Sequence, residues 1–314
     1  MSAEVKMWPK GKPFYVLSVD GGAIRGVYPA QVLARVEEMF GEPLARRVNL
    51  VAGTSTGSIL AAAVGCEIPM ARAVELYQKK GPRIFARSVF SMLKAAYSSM
   101  YSNERLLEEL GEVLGERRLR EIELPLLLTA SDLGSCHAHA FRSNFLAGEN
   151  CDGEVPVKEA VLASCSAPMF FATSNVGDHV YCDGCLWANN PALTAVLEAR
   201  RSFGVDLADI RLLSLGVGRP KEVCRKDERG KWSAWPGWQS PVAVEVVLAF
   251  QSEWAHLAVQ DLLEPEHYVR VDFSADRPLP MDDCSVIPFL LEQAEAWVAG
   301  NGERLRRFWS AGAD

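Results

Sequence analysis

A serine hydroxyl acts as a nucleophile when it is held clear of its own backbone, placed over donors that can take a negative charge, and given a partner that accepts its proton. In the segment VAGTSTGSIL, Val51 to Leu60, Ser55 is the centre of G-x-S-x-G, with Gly53 and Gly57 at the flanks. In that pattern the serine occupies a strained turn from strand to helix, and glycine on both sides leaves the backbone room to fold that tightly. The hydroxyl then stands over the N-terminus of the next helix, where backbone N–H groups favour negative charge. Attack on an ester is the chemistry this geometry suits. The competing reading is an ordinary turn in which Ser55 only caps the helix.

The segment SVDGGAIRG, residues 18 to 26, supplies a second element of such a site. Gly21, Gly22 and Ala23 leave consecutive amide N–H groups free to converge on an anion, as an oxyanion needs, and Arg25 adds positive charge nearby. A dinucleotide loop is the rival reading, but GGAIRG does not match G-x-G-x-x-G. For the proton acceptor, a triad in the order Ser, Asp or Glu, His would need a late histidine. Of the five histidines (137, 139, 179, 256 and 267), only His256 and His267 are late enough, and both sit in segments that read as a helix and its exit. The other acceptor is Asp183 in DHVYCDGCLWANNPA, residues 178 to 192, an aspartate before glycine with Asn189, Asn190 and Pro191 opening the next helix. Asp-Gly also occurs in turns for conformational reasons alone.

The elements around these residues set where they can lie. FYVLSV, residues 14 to 19, reads as a buried strand, and a helix is expected from about 29 to 39. Residues 48 to 52 form a second buried strand and TGSILAAAVGC, 56 to 66, a helix rich in small residues. Two successive units of strand, glycine turn and helix argue for a parallel sheet with helices on both faces. Helical spacing recurs at 71–83, 103–118, 157–165 and 190–202. Extended segments are expected at 124–130, 137–141, 176–181 and 210–216. Residues 241–263 and 286–309 read as closing helices with a strand at 268–271 between them.

The chain has 314 residues, with 33 basic and 40 acidic side chains and a net charge of −7. Its length and lack of internal repeats fit one large α/β domain. The scattered bases argue against binding a DNA or RNA duplex. The first 20 residues lack the apolar core of a signal peptide and no run approaches a membrane span, so a cytoplasmic protein is expected. Eight cysteines are too irregular for a disulfide scaffold, and Cys182 and Cys185, although a C-x-x-C pair, have no second pair to complete a metal set; no metal is assigned.

Taken together, DGGAIRG, GTSTG, SCSAPMFF at 164 to 171 and DGCLWANNP resemble the patatin-like phospholipase family, in the family's order, over about residues 14 to 216. The resemblance implies a three-layer α/β/α sandwich with a mainly parallel central sheet, with C-terminal helical and loop additions over 217–314. It implies hydrolysis of phospholipid acyl esters, through an acyl-enzyme, by a Ser-Asp dyad without histidine or cofactor. Ser55 would be the nucleophile and Asp183 the base, with Gly21, Gly22, Ala23 and Arg25 at the oxyanion loop. Two positions depart from the family's pattern. Ala23 stands where a third glycine is usual, which weakens the oxyanion loop if that residue needs positive φ, and Cys185 stands where glycine or alanine follows the DG.

The expected substrate surface is a phospholipid membrane, reached transiently at its inner face. Residues 83 to 101, which mix aromatics, methionines and spaced bases, suit a lid or an interfacial helix, or else an amphipathic helix on the core. Trp232, Trp235 and Trp238 with Arg225, Lys226, Arg229 and Lys231 form a second candidate for membrane contact, the competing reading being a solvated loop with one or two tucked indoles. Bacterial members of the family include effectors switched on by cyclic dinucleotides in anti-phage defence, so a cyclic dinucleotide activator is a further expectation; an oligomer is compatible with the sequence. A serine acyltransferase and a non-catalytic binding module of the same fold remain alternatives.

Overall fold

A computed structural model of the chain describes residues 7–85, 99–143, 152–221 and 241–310. The tryptophan-rich basic segment lies outside these residues, and only the two ends of the 83–101 stretch lie within them. The chain begins with strand β1 (Phe14–Val19), a 3-10 turn (Ala23–Gly26) and helix α1 (Val27–Phe40), then β2 (Leu50–Thr54), α2 (Thr56–Gly65), α3 (Met70–Ile84) and α4 (Asn103–Leu114). A hairpin of β3 (Leu126–Asp132) and β4 (His137–Arg142) follows, then α5 (Val157–Cys165), β5 (Ser174–Val176), β6 (His179–Asp183), a single helical turn α6 (Cys185–Ala188) and α7 (Ala192–Phe203). The last part holds β7 (Ile210–Leu215), β8 (Arg219–Pro220), α8 (Pro241–Leu262), β9 (Tyr268–Val271), β10 (Ser274–Ala275) and α9 (Ile287–Ser310).

The main sheet runs β5-β6-β3-β2-β1-β7-β9, with β4 also on β3 and a separate two-stranded ladder of β8 with β10. β1, β2, β3, β7 and β9 are parallel, and β4, β5 and β6 are antiparallel additions. The parallel strands are apolar on both faces because both faces are covered. Leu17, Val19, Val51 and Leu213 turn toward α1 to α5 and α9, whereas Phe14, Val16, Leu50 and Leu212 turn toward α7 and α8. Helices above and below one twisted sheet make a three-layer α/β/α sandwich. Helix α2 is buried at nine of its ten positions, which its glycine and alanine content permits by letting it lie close on the sheet.

The chain winds outward from β1 in both directions, to β2 and β3 on one side and to β7 and β9 on the other. Such a reversal opens a crevice at the C-terminal ends of the strands, where ligands bind in open α/β sheets. The glycine loop after β1 and the elbow after β2 both lie there. The extended segment expected over 176–181 is two strands that meet at a turn where Gly177 takes φ +57°. This refolding matters because it puts Asp183 at the end of a paired strand rather than on a loop. Beyond residue 216, β9 hydrogen-bonds beside β7 and α9 packs on α1.

Candidate active site

Ser55 adopts φ +54°, ψ −124°, a conformation that costs a non-glycine residue about 1–3 kcal/mol. Its backbone is held from two sides: the Ser55 N–H donates to Ser164 Oγ at 2.9 Å, and Ser58 Oγ donates to the Ser55 carbonyl at 2.6 Å. A Cβ at Gly53 would collide with the backbone of Gly57, and one at Gly57 with the carbonyl of Val19, so the elbow closes only with glycine at both flanks. The Ser55 side chain makes no capping hydrogen bond to α2. The hydroxyl is therefore presented, and the capping reading does not describe it.

Asp183 reaches the same place through sheet topology. β4 fills one edge of β3 along residues 127–132, so β2 and β6 must share the other edge end to end. β2 pairs up to Thr54 with Thr129, and β6 takes over at the next residue, Ala130 with Asp183. Ser55, one residue past the end of β2, and Asp183, the last residue of β6, thus sit at the abutting ends of two strands. The junction is tied by Thr54 Oγ1 to Thr129 Oγ1 at 2.7 Å and by Thr54 Oγ1 donating to the Ala188 carbonyl at 2.5 Å. Asp183 is fully buried; its Oδ1 accepts the Cys185 N–H at 2.8 Å, while its Oδ2 is buried without a partner in hydrogen-bond geometry. Burial pushes the carboxyl up to about 6, against the pull of the Ser55 hydroxyl and the Cys185 N–H. The hydroxyl is near enough to favour the ionised carboxylate, yet short of a formed hydrogen bond, as is common before substrate binds.

The oxyanion loop differs from expectation at two of its four residues. The Gly21 N–H donates to the Asn189 carbonyl at 2.9 Å and is committed to structure. The Arg25 guanidinium is buried on the far side of the loop, 3.4 Å from the Gly218 carbonyl, and lines a different cavity from Ser55. Side chains of a tight 3-10 turn point in different directions, so closeness in sequence did not bring this charge to the ester site. Gly22 and Ala23 do line the cavity of Ser55, and their N–H groups have no hydrogen-bond partner among the described residues. Ala23 takes φ +51°, so this alanine holds a left-handed conformation that glycine would adopt without strain. Thr56, first residue of α2, also lines the cavity and has an N–H beyond the reach of intrahelical bonding. The signal for Thr56 in the sequence is its position alone, since the residue after an elbow serine is a usual oxyanion donor.

Ser55 and Asp183 open onto a cavity of about 310 Å³ whose walls are almost wholly apolar, including Ile59, Leu76, Ile84, Leu110, Phe170 and Phe171. The SCSAPMFF segment builds it: Ser164 holds the Ser55 N–H, the Ser166 carbonyl accepts the Asp183 N–H at 3.0 Å, and its two phenylalanines line the wall. No histidine among the described residues lines this cavity. His256 Nδ1 lies 2.8 Å from the Tyr268 hydroxyl and His267 Nδ1 3.0 Å from Arg211, so neither late histidine can serve a triad. Cys182 and Cys185 are buried free thiols; Cys185 lines the cavity, but burial and the adjacent Asp183 carboxylate push its pKa well up, which keeps it a thiol and not a nucleophile.

The patatin-like phospholipase family model matches residues 17–196. The chain is 35% identical over 236 residues to a cUMP-AMP-activated phospholipase of Escherichia coli, covering 70% of each protein. It is 30% identical over 213 residues to a cGAMP-activated phospholipase of Pseudomonas aeruginosa, covering 65% of this chain and 62% of that protein. It is 28% identical over 294 residues to the calcium-independent phospholipase A2-gamma of Oryctolagus cuniculus, covering 87% of this chain but 36% of that protein, so the chain spans little more than a third of this relative's length. The matched residues run from β1 into α7 and contain the glycine loop, the elbow, the segment behind it and the strand that ends in Asp183; the chain belongs to the patatin-like phospholipase family.

Proposed function

We propose that this protein is a lipid acyl hydrolase of the phospholipase A type that works through Ser55 and Asp183. The observation that carries the reading is a fully buried carboxylate, with one oxygen unpartnered, in the same apolar cavity as a strained and uncapped serine. The Ser55 hydroxyl oxygen attacks the ester carbonyl while its proton passes to Asp183 Oδ2. The charge that forms on the carbonyl oxygen meets the N–H groups of Gly22, Ala23 and Thr56. Collapse of this intermediate leaves the acyl group on Ser55, and the departing alkoxide takes the proton from Asp183. Water then attacks the acyl-enzyme, again giving its proton to Asp183, which returns it to Ser55 as the fatty acid leaves. A carboxyl pushed up to about 6 is basic enough to take a proton and still ionised near neutral pH.

The apolar walls suit an acyl chain, and the phospholipase names of the relatives supply the head-bearing substrate class. Activation by a cyclic dinucleotide rests on the two bacterial relatives whose names state it. On this reading the protein acts from the cytoplasm on the inner membrane face as an antiviral effector. Among the described residues no helix is long and apolar enough to cross a membrane. The sheet's extension into β9 and the packing of α9 on α1 support one continuous domain.

The test is fatty-acid release from mixed phospholipid vesicles by the wild type, Ser55→Ala and Asp183→Asn, with and without cUMP-AMP or cGAMP. Release by the wild type and loss in both variants is the expected result. Release that survives Ser55→Ala would overturn the assignment, and acyl transfer to an added alcohol in place of hydrolysis would move the protein to the acyltransferases.

A further inference from the structure

The glycine loop has two sides, and only one faces the ester cavity. On the other, Asp20, Gly21 and Arg25 line a second cavity of about 750 Å³. It lies between the segments that follow β7 and β9 and the side of α8 that carries Glu245, Ala249 and Ser252. Asn189 and Leu248 belong to the walls of both cavities. The volume falls within the range of small-molecule sites, and the lining is far more polar than that around Ser55.

Most charges in this second cavity are matched. Arg270 donates to both oxygens of Asp20, at 2.9 and 2.6 Å, and to Asp272 at 2.9 Å. Arg219 pairs with Glu253 at 2.8 Å, and Lys221 with Asp276 at 2.7 Å. Among the basic side chains of the cavity, Arg25 is the exception. It is 6% exposed, has no ion pair among the described residues, makes one long contact to the Gly218 carbonyl, and buries its Nε without an acceptor. Glu245 exerts the strongest pull on it but stands outside ion-pair distance. A buried guanidinium without a carboxylate is a costly thing to keep, and a guanidinium is shaped to hold a phosphate by two parallel hydrogen bonds.

We propose that this second cavity binds a phosphate-bearing small molecule whose anionic group pairs with Arg25, and that occupancy is transmitted to the ester site through the glycine loop. The link is short. The Arg25 N–H donates to the Gly22 carbonyl at 3.1 Å, so the residue that grips the ligand and one that offers a donor to the oxyanion belong to the same turn. Gly21 is tied to Asn189, which borders both cavities. The proposal gives the activator of the preceding section its place, and it rests on the phospholipase reading only for its activity readout.

Titration calorimetry tests it, with cUMP-AMP, cGAMP, inorganic pyrophosphate and glycerol 3-phosphate as probes, on the wild type, Arg25→Gln and Ala249→Trp. Arg25→Gln removes the charge. Ala249→Trp fills the cavity from a position on α8 that does not line the cavity of Ser55, and its melting temperature checks that the fold is kept. The expected result is saturable binding of at least one probe by the wild type, weakened about 10- to 100-fold in Arg25→Gln, as loss of a charge-assisted contact implies, and abolished in Ala249→Trp. Binding of glycerol 3-phosphate alone would support the site and assign it to a lipid head group; binding of a dinucleotide with increased fatty-acid release would support it as the switch. No binding of any probe to a wild type that does hydrolyse vesicles would overturn the proposal and leave the phospholipase reading standing. Equal binding by all three proteins would overturn it as well. Binding lost in both variants of a protein that hydrolyses nothing would support the site and sink the phospholipase reading instead.

Discussion

Asp183→Asn is expected to make the protein more stable at neutral pH while removing its activity. Burial raises the Asp183 carboxyl from 3.8 to about 6, so folding favours the protonated form and the folded state holds an ionised carboxylate at a loss. The stabilisation that comes with this raised value is complete below pH 3.8 and is lost as the pH rises through about 6. Integrating the linkage between those two values gives a penalty of about 3 kcal/mol at pH 7, about 1.5 kcal/mol at pH 5 and about 0.5 kcal/mol at pH 4. Asparagine keeps the acceptor for the Cys185 N–H, places an amide where Oδ2 now stands unpartnered, and does not ionise. Urea unfolding of wild type and variant across pH 4 to 8 should therefore show the variant ahead by up to about 3 kcal/mol at pH 7, the gap closing toward pH 4. A variant less stable than the wild type at pH 7, or a gap that does not change with pH, would mean that Asp183 is not held as a strained carboxylate and that its role as a base has been misread.

The same carboxylate should shape the rate. Since the base must be ionised, kcat/KM for a soluble ester should fall below an apparent pKa of about 6, reaching about a tenth of its plateau at pH 5, with no limb from a histidine. Ala23→Gly relieves a left-handed alanine while making the unfolded chain freer, so a net gain of no more than about 1 kcal/mol is expected in thermal unfolding, with the N–H donor and hydrolysis retained. Arg270→Met strands Asp20 and Asp272 without their cation and should cost about 3–5 kcal/mol; adding Asp20→Asn should recover part of it, as measured in a double-mutant cycle.

How far the sequence could be read depended on how local each feature was. The elbow was legible because its demands fall on five consecutive residues: Gly53 and Gly57 are fixed by backbone contacts within the strand-turn-helix unit itself. The strands FYVLSV and IRLLSL were legible because burial on both faces leaves a continuous apolar run. Asp183 was legible locally only as one candidate, an aspartate before glycine, and family resemblance singled it out. Its position depends on β6 replacing β2 along the edge of β3, a pairing between segments some fifty residues apart that no local pattern encodes. Arg25 was misplaced for a related reason: its distance from Gly22 in sequence is short, but the direction of its side chain from a 3-10 turn is decided by the packing of β7, β9 and α8. The turn at Gly177 was hidden because the segment around it is polar and apolar by turns, as one strand or as two.

On the proposed mechanism the site needs no histidine because of how rigidly the carboxylate is held. In a triad, an imidazole bridges a distance, and a carboxylate behind it keeps the ring in the useful tautomer. Here the strand end brings the carboxylate to the serine directly, and nothing is left to bridge. The Asp183 N–H donates to the Ser166 carbonyl, its carbonyl accepts Ser131 Oγ at 2.9 Å, and its Oδ1 accepts the Cys185 N–H. Three hydrogen bonds fix both the backbone and the rotamer, and Oδ2 is the one atom left over. A solvated aspartate would be too weak a base for a serine hydroxyl; one stripped of water in an apolar cavity is stronger, and the price is the instability that Asp183→Asn should remove.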